Sequence, residues 1–153
     1  GALLILLKTV QRLGYFVNLK TVPRPITAHI LACDDLLPVP LSQLREYDRN
    51  GGARQRMLDA IRQQVGIKAF TVEGKAVVRD LAREAATTKQ DLADIINVVI
   101  EELVRQRFEL PGFSTLQRSA RQARSTVNTG YFRTLSAGLT ALRIPANVNV
   151  HSG

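Results

Sequence analysis

Residues 88–103 read TKQDLADIINVVIEEL, and their spacing decides the fold class. Leu92, Ile95, Ile96, Val99, Ile100 and Leu103 recur every three or four positions. That period lines one side of an α-helix and no side of a strand. Thr88 with Asp91 three residues later has the spacing of a capping box, Asp standing where Glu is usual. The pattern fades near Arg107, and Pro111-Gly112 ends the element. Ser114 with Gln117 repeats the capping-box spacing and predicts one more helix.

Helical spacing also dominates the rest of the chain. Leu3, Leu6, Leu7, Val10 and Leu13 form a first stripe, and Gly14 reads as its C-terminal stop. Pro23 and Pro25 break the chain, and Pro25 suits the first turn of a helix to about Cys33. After Pro38 and Pro40, Ser42 is placed to cap a short helix through Tyr47. Asp48–Gly52 reads as a loop, and Met57, Ile61 and Val65 mark a helix closed by Gly66. Thr71 reads as the N-cap of a helix through Val78, Leu81, Ala82 and Ala85. Strand signals are few: 68–72 as a strand of a wing, and the alternation of Val148 and Val150. The expectation is an all-α chain of two small helical modules in tandem. The first spans 1–66, the second spans 67–137, and 138–153 is a loose tail or the start of a linker.

The chain has 153 residues, 45% of them apolar, which suits globular domains of this size. Its longest apolar run, Ala2–Leu7, is too short to span a bilayer. A single cysteine, Cys33, forbids an internal disulfide and a cysteine-built zinc site. With His29 and His151 the only histidines, a histidine-rich metal site is not expected either. Aromatics at 5% argue against folds that stack bases on an aromatic platform.

The net charge of +8 points to a polyanionic partner. Its distribution says more. Residues 1–66 carry a net +4, residues 67–113 a net −1, and residues 114–153 a net +5 with no acid at all. On the helix after Ser114, Leu116, Ala120, Ala123 and Val127 share one face. Arg118, Arg121, Gln122 and Ser125 share the opposite face. Arg and Gln can pair bidentately with guanine and adenine edges. Arg124 on the flank, Ser114 and Thr115 at the helix start, and Lys89 suit the phosphate backbone. A helix, a turn and a basic helix is the order of a helix-turn-helix reader. The plainer alternative is a solvated Arg-rich helix, but solvated helices usually mix charge signs. In the first half, Arg45, Arg49, Arg54 and Arg56 cluster beside Tyr47; of these Arg49, Arg54 and Arg56 are taken as backbone contacts.

Two other constellations are weaker. Asp91, Asp94, Glu101 and Glu102, with Asp94 and Glu101 on one helix face, would suit a two-metal nuclease but fit a solvated face better. Cys33 with His29 one turn earlier, beside Asp34 and Asp35, faintly suggests a nucleophile and base; a small buried cysteine is the expectation.

Several stretches resemble the N-terminal region of the Tn-three family of replicative bacterial transposases. They are residues 6–16 (LLKTVQRLGYF), Tyr47-Asp48-Arg49, Ile61–Gly66, Asp94–Asn97 with Glu101–Val104, and 108–116 (FELPGFSTL) leading into Arg118, Arg121 and Arg124. The resemblance covers about residues 2–135, and Glu109–Leu116 is its most specific part.

This resemblance implies double-stranded DNA binding to transposon terminal inverted repeats, through tandem helix-turn-helix modules of CENP-B type. It implies no catalytic residue, cofactor, metal or small-molecule substrate in this segment, because the family's DDE residues lie further along the polypeptide. A homodimer would form through the rest of the transposase, and the setting would be the bacterial cytoplasm, at the nucleoid and away from membranes. The start at Gly1, inside a family stretch, implies a fragment without the first helix or helices. The alternative is a helical interaction or dimerisation module with a basic surface, using Leu3, Leu6, Leu7 and Val10.

Overall fold

The computed structural model describes residues 1–33, 40–49 and 51–142. Seven α-helices account for most of them: α1 Ala2–Leu13, α2 Arg24–Ala32, α3 Leu41–Arg49, α4 Gly51–Val65, α5 Val72–Ala86, α6 Leu92–Arg105 and α7 Phe113–Leu142. A single 3-10 turn, Leu19–Thr21, lies between α1 and α2. There is no strand among the described residues. The chain is all-α, as the spacing predicts. In place of a wing strand, Lys68 makes one isolated parallel bridge to Phe108.

The apolar side chains gather into two clusters. The first joins α1 to α4 around Ile5, Leu6, Leu19, Leu44 and Ile61. The second joins α5, α6 and α7 around Val78, Ile95, Val99, Leu103, Phe108 and Leu116. Each fully buried aliphatic side chain contributes about 1.5–3 kcal/mol, so the four buried positions of α6 (Ile95, Ile96, Val99 and Leu103) outweigh any cap.

The face that α1 buries differs from the predicted stripe. Ala2, Ile5, Leu6, Thr9 and Val10 are buried, while Leu3 and Leu13 are exposed. Residues 2–7 are apolar all round, so periodicity cannot choose a face; packing against α2 and α4 does. Thr9 is accommodated because its hydroxyl donates to the carbonyls of Ile5 and Leu6. Leu6 and Val10 face the chain's own core, which removes half of the proposed α1 partner stripe.

Helix boundaries are also corrected. Most of the loop expected over Asp48–Gly52 is helix: α3 keeps Asp48 and Arg49, and α4 starts at Gly51, while Asn50 lies outside the described residues. Arg54 Nη1 donates to Asp48 Oδ1 at 2.7 Å, tying the two helices at this corner. Ser42 lies inside α3, whose first amides donate to the Pro40 carbonyl. Asp91, not Thr88, caps α6, accepting from the Ala93 amide at 2.8 Å. Ser114 lies within the first turn of α7, and the Gly112 carbonyl accepts from Thr115 and Leu116.

Helix α6 ends with Arg107 in the left-handed region at φ 59°. Phe108 N donates to Leu103 O and Arg107 N to Val104 O, the hydrogen bonds of a Schellman stop. The buried Phe108 and Leu103 supply the apolar contact that accompanies it.

The loose tail expected from residue 138 is helical at least to Leu142. No proline interrupts 113–142, and the hydroxyls of Thr126, Thr129, Thr134 and Thr140 each donate to the carbonyl four residues back. These bonds satisfy the hydroxyls inside the helix, while β-branching keeps the intrinsic helix propensity of threonine low. The Val148–Val150 alternation lies outside the described residues.

Candidate nucleic-acid interface

Helix α7 packs on both α5 and α6. It does so through Leu116, Ala120 and Ala123, all buried, with Val127 partly buried beside them. Two alanines at the contact let the helix axes approach closely. This fixes the rotation of α7, and so fixes what it presents outward. Arg118, Arg121, Gln122 and Ser125 are all exposed on the other side.

The electrostatics of that face depend on where the acids go. Most other arginines with a resolved contact are paired: Arg54 with Asp48, Arg62 with Asp59 and Glu109, Arg79 with Asp80, Arg105 with Glu102. No ion pair involves Arg118 or Arg121 among the described residues. Helix α7 carries no acid of its own. Glu109, the last acid before it, accepts from Arg62 Nε and Nη2 at 3.1 and 2.9 Å and is turned to the other cluster. The outer face of α7 therefore holds uncompensated positive charge.

The backbone candidates separate into three groups. Ser114 and Thr115 stand at the start of α7, Ser114 exposed and Thr115 half-buried. Lys89 and Arg124 come together: both line a groove of about 470 Å³ between the α5–α6 turn and α7. Asn128 and Tyr131 line it too. Sequence reading missed Tyr131, which lies one helical turn beyond Val127 at the point where α7 leaves the core.

In the first cluster, Arg49 and Arg56 are exposed, and neither has an ion pair among the described residues. Arg49 lines a pocket of about 400 Å³ with Lys20, Arg45, Asn18 and Asp48. Lys20 joins this group only through the fold, its amide donating to Asp48 Oδ2 at 3.2 Å. Arg54 behaves differently from its expected backbone role. Half-buried, it holds Asp48 and donates Nη2 to the Val17 carbonyl at 3.0 Å. Its guanidinium is engaged in joining α3, α4 and the segment after α1.

The weaker constellations do not assemble. Asp94 and Glu101 are both exposed, and no group of three or more His, Cys, Asp or Glu side chains suited to a metal occurs among the described residues. Cys33 is exposed, contrary to the buried position expected, because α2 ends there. Its Sγ lies 3.8 Å from His29 Nε2. Asp34 and Asp35 lie outside the described residues. Among those residues no helix is long and apolar enough to cross a membrane.

A comparison with curated proteins finds no match. A family model does match: Domain of unknown function (DUF4158), over residues 2–123. The matched span takes in both apolar clusters and stops at Ala123, the last fully buried residue of α7. The chain therefore belongs to the DUF4158 family.

Proposed function

We propose that the chain binds double-stranded DNA, with α7 as its reading helix. The observation that carries this is the acid-free outer face of α7, where Arg118, Arg121, Gln122 and Ser125 are exposed opposite a small-residue face packed on α5 and α6. Such a face offers bidentate donors to base edges at a rotation set by the core. Ser114 and Thr115, with Lys89 and Arg124, would hold the backbone; Arg49 and Arg56 would add phosphate contacts from the first cluster.

The DUF4158 family occurs at the N-terminus of Tn-three family transposases. On that ground the DNA would be the terminal inverted repeat of a transposon. Residues 1–66 and 67–137 would act as tandem modules of a non-catalytic segment, in the bacterial cytoplasm. The DDE chemistry would belong to another part of the transposase.

The test is a fluorescence-anisotropy titration of two duplexes, one carrying the inverted repeat and one scrambled, at low and moderate salt. A preference for the repeat that survives added salt supports direct readout. Equal binding that vanishes with salt reduces the function to phosphate attraction.

A second reading, a helical interaction module, is favoured by the free half of α7. Tyr131, Phe132, Leu135, Leu139 and Leu142 are all more than half exposed there. Light scattering after size exclusion separates the two: a dimer that ignores DNA supports the interaction module, and a monomer that binds DNA disfavours it.

A further inference from the structure

The groove between the α5–α6 turn and α7 gathers donors from two distant parts of the sequence, and Gln90 of the turn lines it with them. Lys89 comes from the turn; Arg124, Asn128 and Tyr131 come from successive turns of α7. No acid lines it. Arg124 Nη1 donates to the Gln90 carbonyl at 3.4 Å, a long bond. That bond holds the guanidinium over the groove and is easily given up. The Thr87 and Thr88 hydroxyls donate to the carbonyls of Glu84 and Ala85, so they are not among the donors facing a ligand.

We infer that this groove seats one phosphate oxyanion, a phosphodiester of the DNA strand that flanks the reading face. The inference rests on the DNA-binding reading above. Two cations, a side-chain amide and a phenol match the several acceptor oxygens of a phosphate better than one carboxylate. The placement along α7 points the same way. From Thr115 to Asn128 the helix runs about 20 Å. The major groove is about 12 Å wide. The start of α7 and this groove therefore lie at either end of the base-facing side chains, within reach of the phosphate backbone. Lys89 and Tyr131 are exposed, so neither is needed for the core.

The experiment measures wild type, Lys89→Gln, Arg124→Gln and Tyr131→Phe on the repeat and scrambled duplexes across a salt series. Far-ultraviolet circular dichroism checks that each variant is folded. Each lost cation should reduce the slope of log K against log salt by about one. Affinity should fall on both duplexes alike, leaving their ratio unchanged. Tyr131→Phe should weaken both by up to about tenfold, with no change in slope. Unchanged slopes in both cation variants overturn the seat while leaving the reading of α7 standing.

A second arm titrates inorganic phosphate against chloride at equal ionic strength and follows the amide resonances of residues 87–90 and 124–131. If wild type binds neither duplex but these resonances respond to phosphate, the seat stands as a free-phosphate site and the DNA reading falls. No duplex binding and no response overturn both.

Discussion

Arg62 on α4 grips Glu109, 47 residues further along, with two guanidinium nitrogens on one carboxylate oxygen. The same guanidinium lies 5.1 Å from the Phe16 ring centroid and pairs with Asp59. Beside it, Leu110 N donates to Gly14 O, and Lys68 bridges to Phe108. These contacts join the two apolar clusters and place the segment that launches α7.

Replacing Arg62 by Ala leaves Glu109, only 16% exposed, without its cation. The expected loss is about 1–3 kcal/mol, the cost of a half-buried charged group left unpaired. Urea unfolding measures it. A double-mutant cycle with Glu109→Gln should return most of that loss as coupling; additive losses would mean the pair does not join the clusters.

Two left-handed residues should respond in opposite directions. Gly14 has φ 77°, and a Cβ there would lie 2.8 Å from Leu110 Cδ1. Gly14→Ala should cost about 1–2 kcal/mol from backbone strain, with the contact adding to it. Arg107 already bears that strain at φ 59°. Arg107→Gly should stabilise the protein by about 0.5–1 kcal/mol, since glycine's greater freedom when unfolded offsets part of the relief. Paired thermal melts decide both signs.

The alanine face of α7 is a spacing device. Ala120 is 1% exposed where α7 meets its supporting helices. Ala120→Leu should overpack that contact and cost about 1–3 kcal/mol. Surface Ser125→Leu should cost under about 0.5 kcal/mol. Chemical denaturation of the two variants compares buried with exposed positions on one helix.

Arg118→Ala and Arg121→Ala should each reduce the preference for the repeat over the scrambled duplex, by about 1–3 kcal/mol where the side chain is paired to a base. Competition titrations at constant salt read the ratio directly. An unchanged ratio in both variants removes α7 as the reader.

The Glu102 carboxyl is held down to about 2 by hydrogen bonds from Arg105 and then Gln106. Its folded value lies below the ordinary 4.5. Its contribution to stability is therefore complete above about pH 4.5 and disappears as the pH falls toward 2. Glu102→Gln should make stability decline less steeply across that interval and leave the neutral range nearly flat. Unfolding curves from pH 6 to pH 2.5 test this.

The basic outer face of α7 was legible because charge and period are local properties. Leu116, Ala120 and Ala123 on one side and Arg118, Arg121 and Gln122 on the other follow from 100° per residue. The buried face of α6 was legible for the same reason, since its apolar positions form one stripe with polar neighbours. The burial phase of α1 was not, because Ala2–Leu7 offers an apolar residue in every direction and only α2 and α4 select among them. Arg54 read as a DNA-backbone contact and Glu109 had no partner in the sequence; their partners, Asp48, Val17 and Arg62, meet them through folding. The length of α7 escaped the reading because Gly130, Gly138 and four threonines argue locally against a helix. Sequence alone thus determined an all-helical chain with an acid-free basic helix, because period and charge are carried by neighbours in the chain. Tertiary structure decided which charges stay unpaired and which side chains share the Lys89–Arg124 groove, because ion pairs and grooves join residues that the chain keeps far apart.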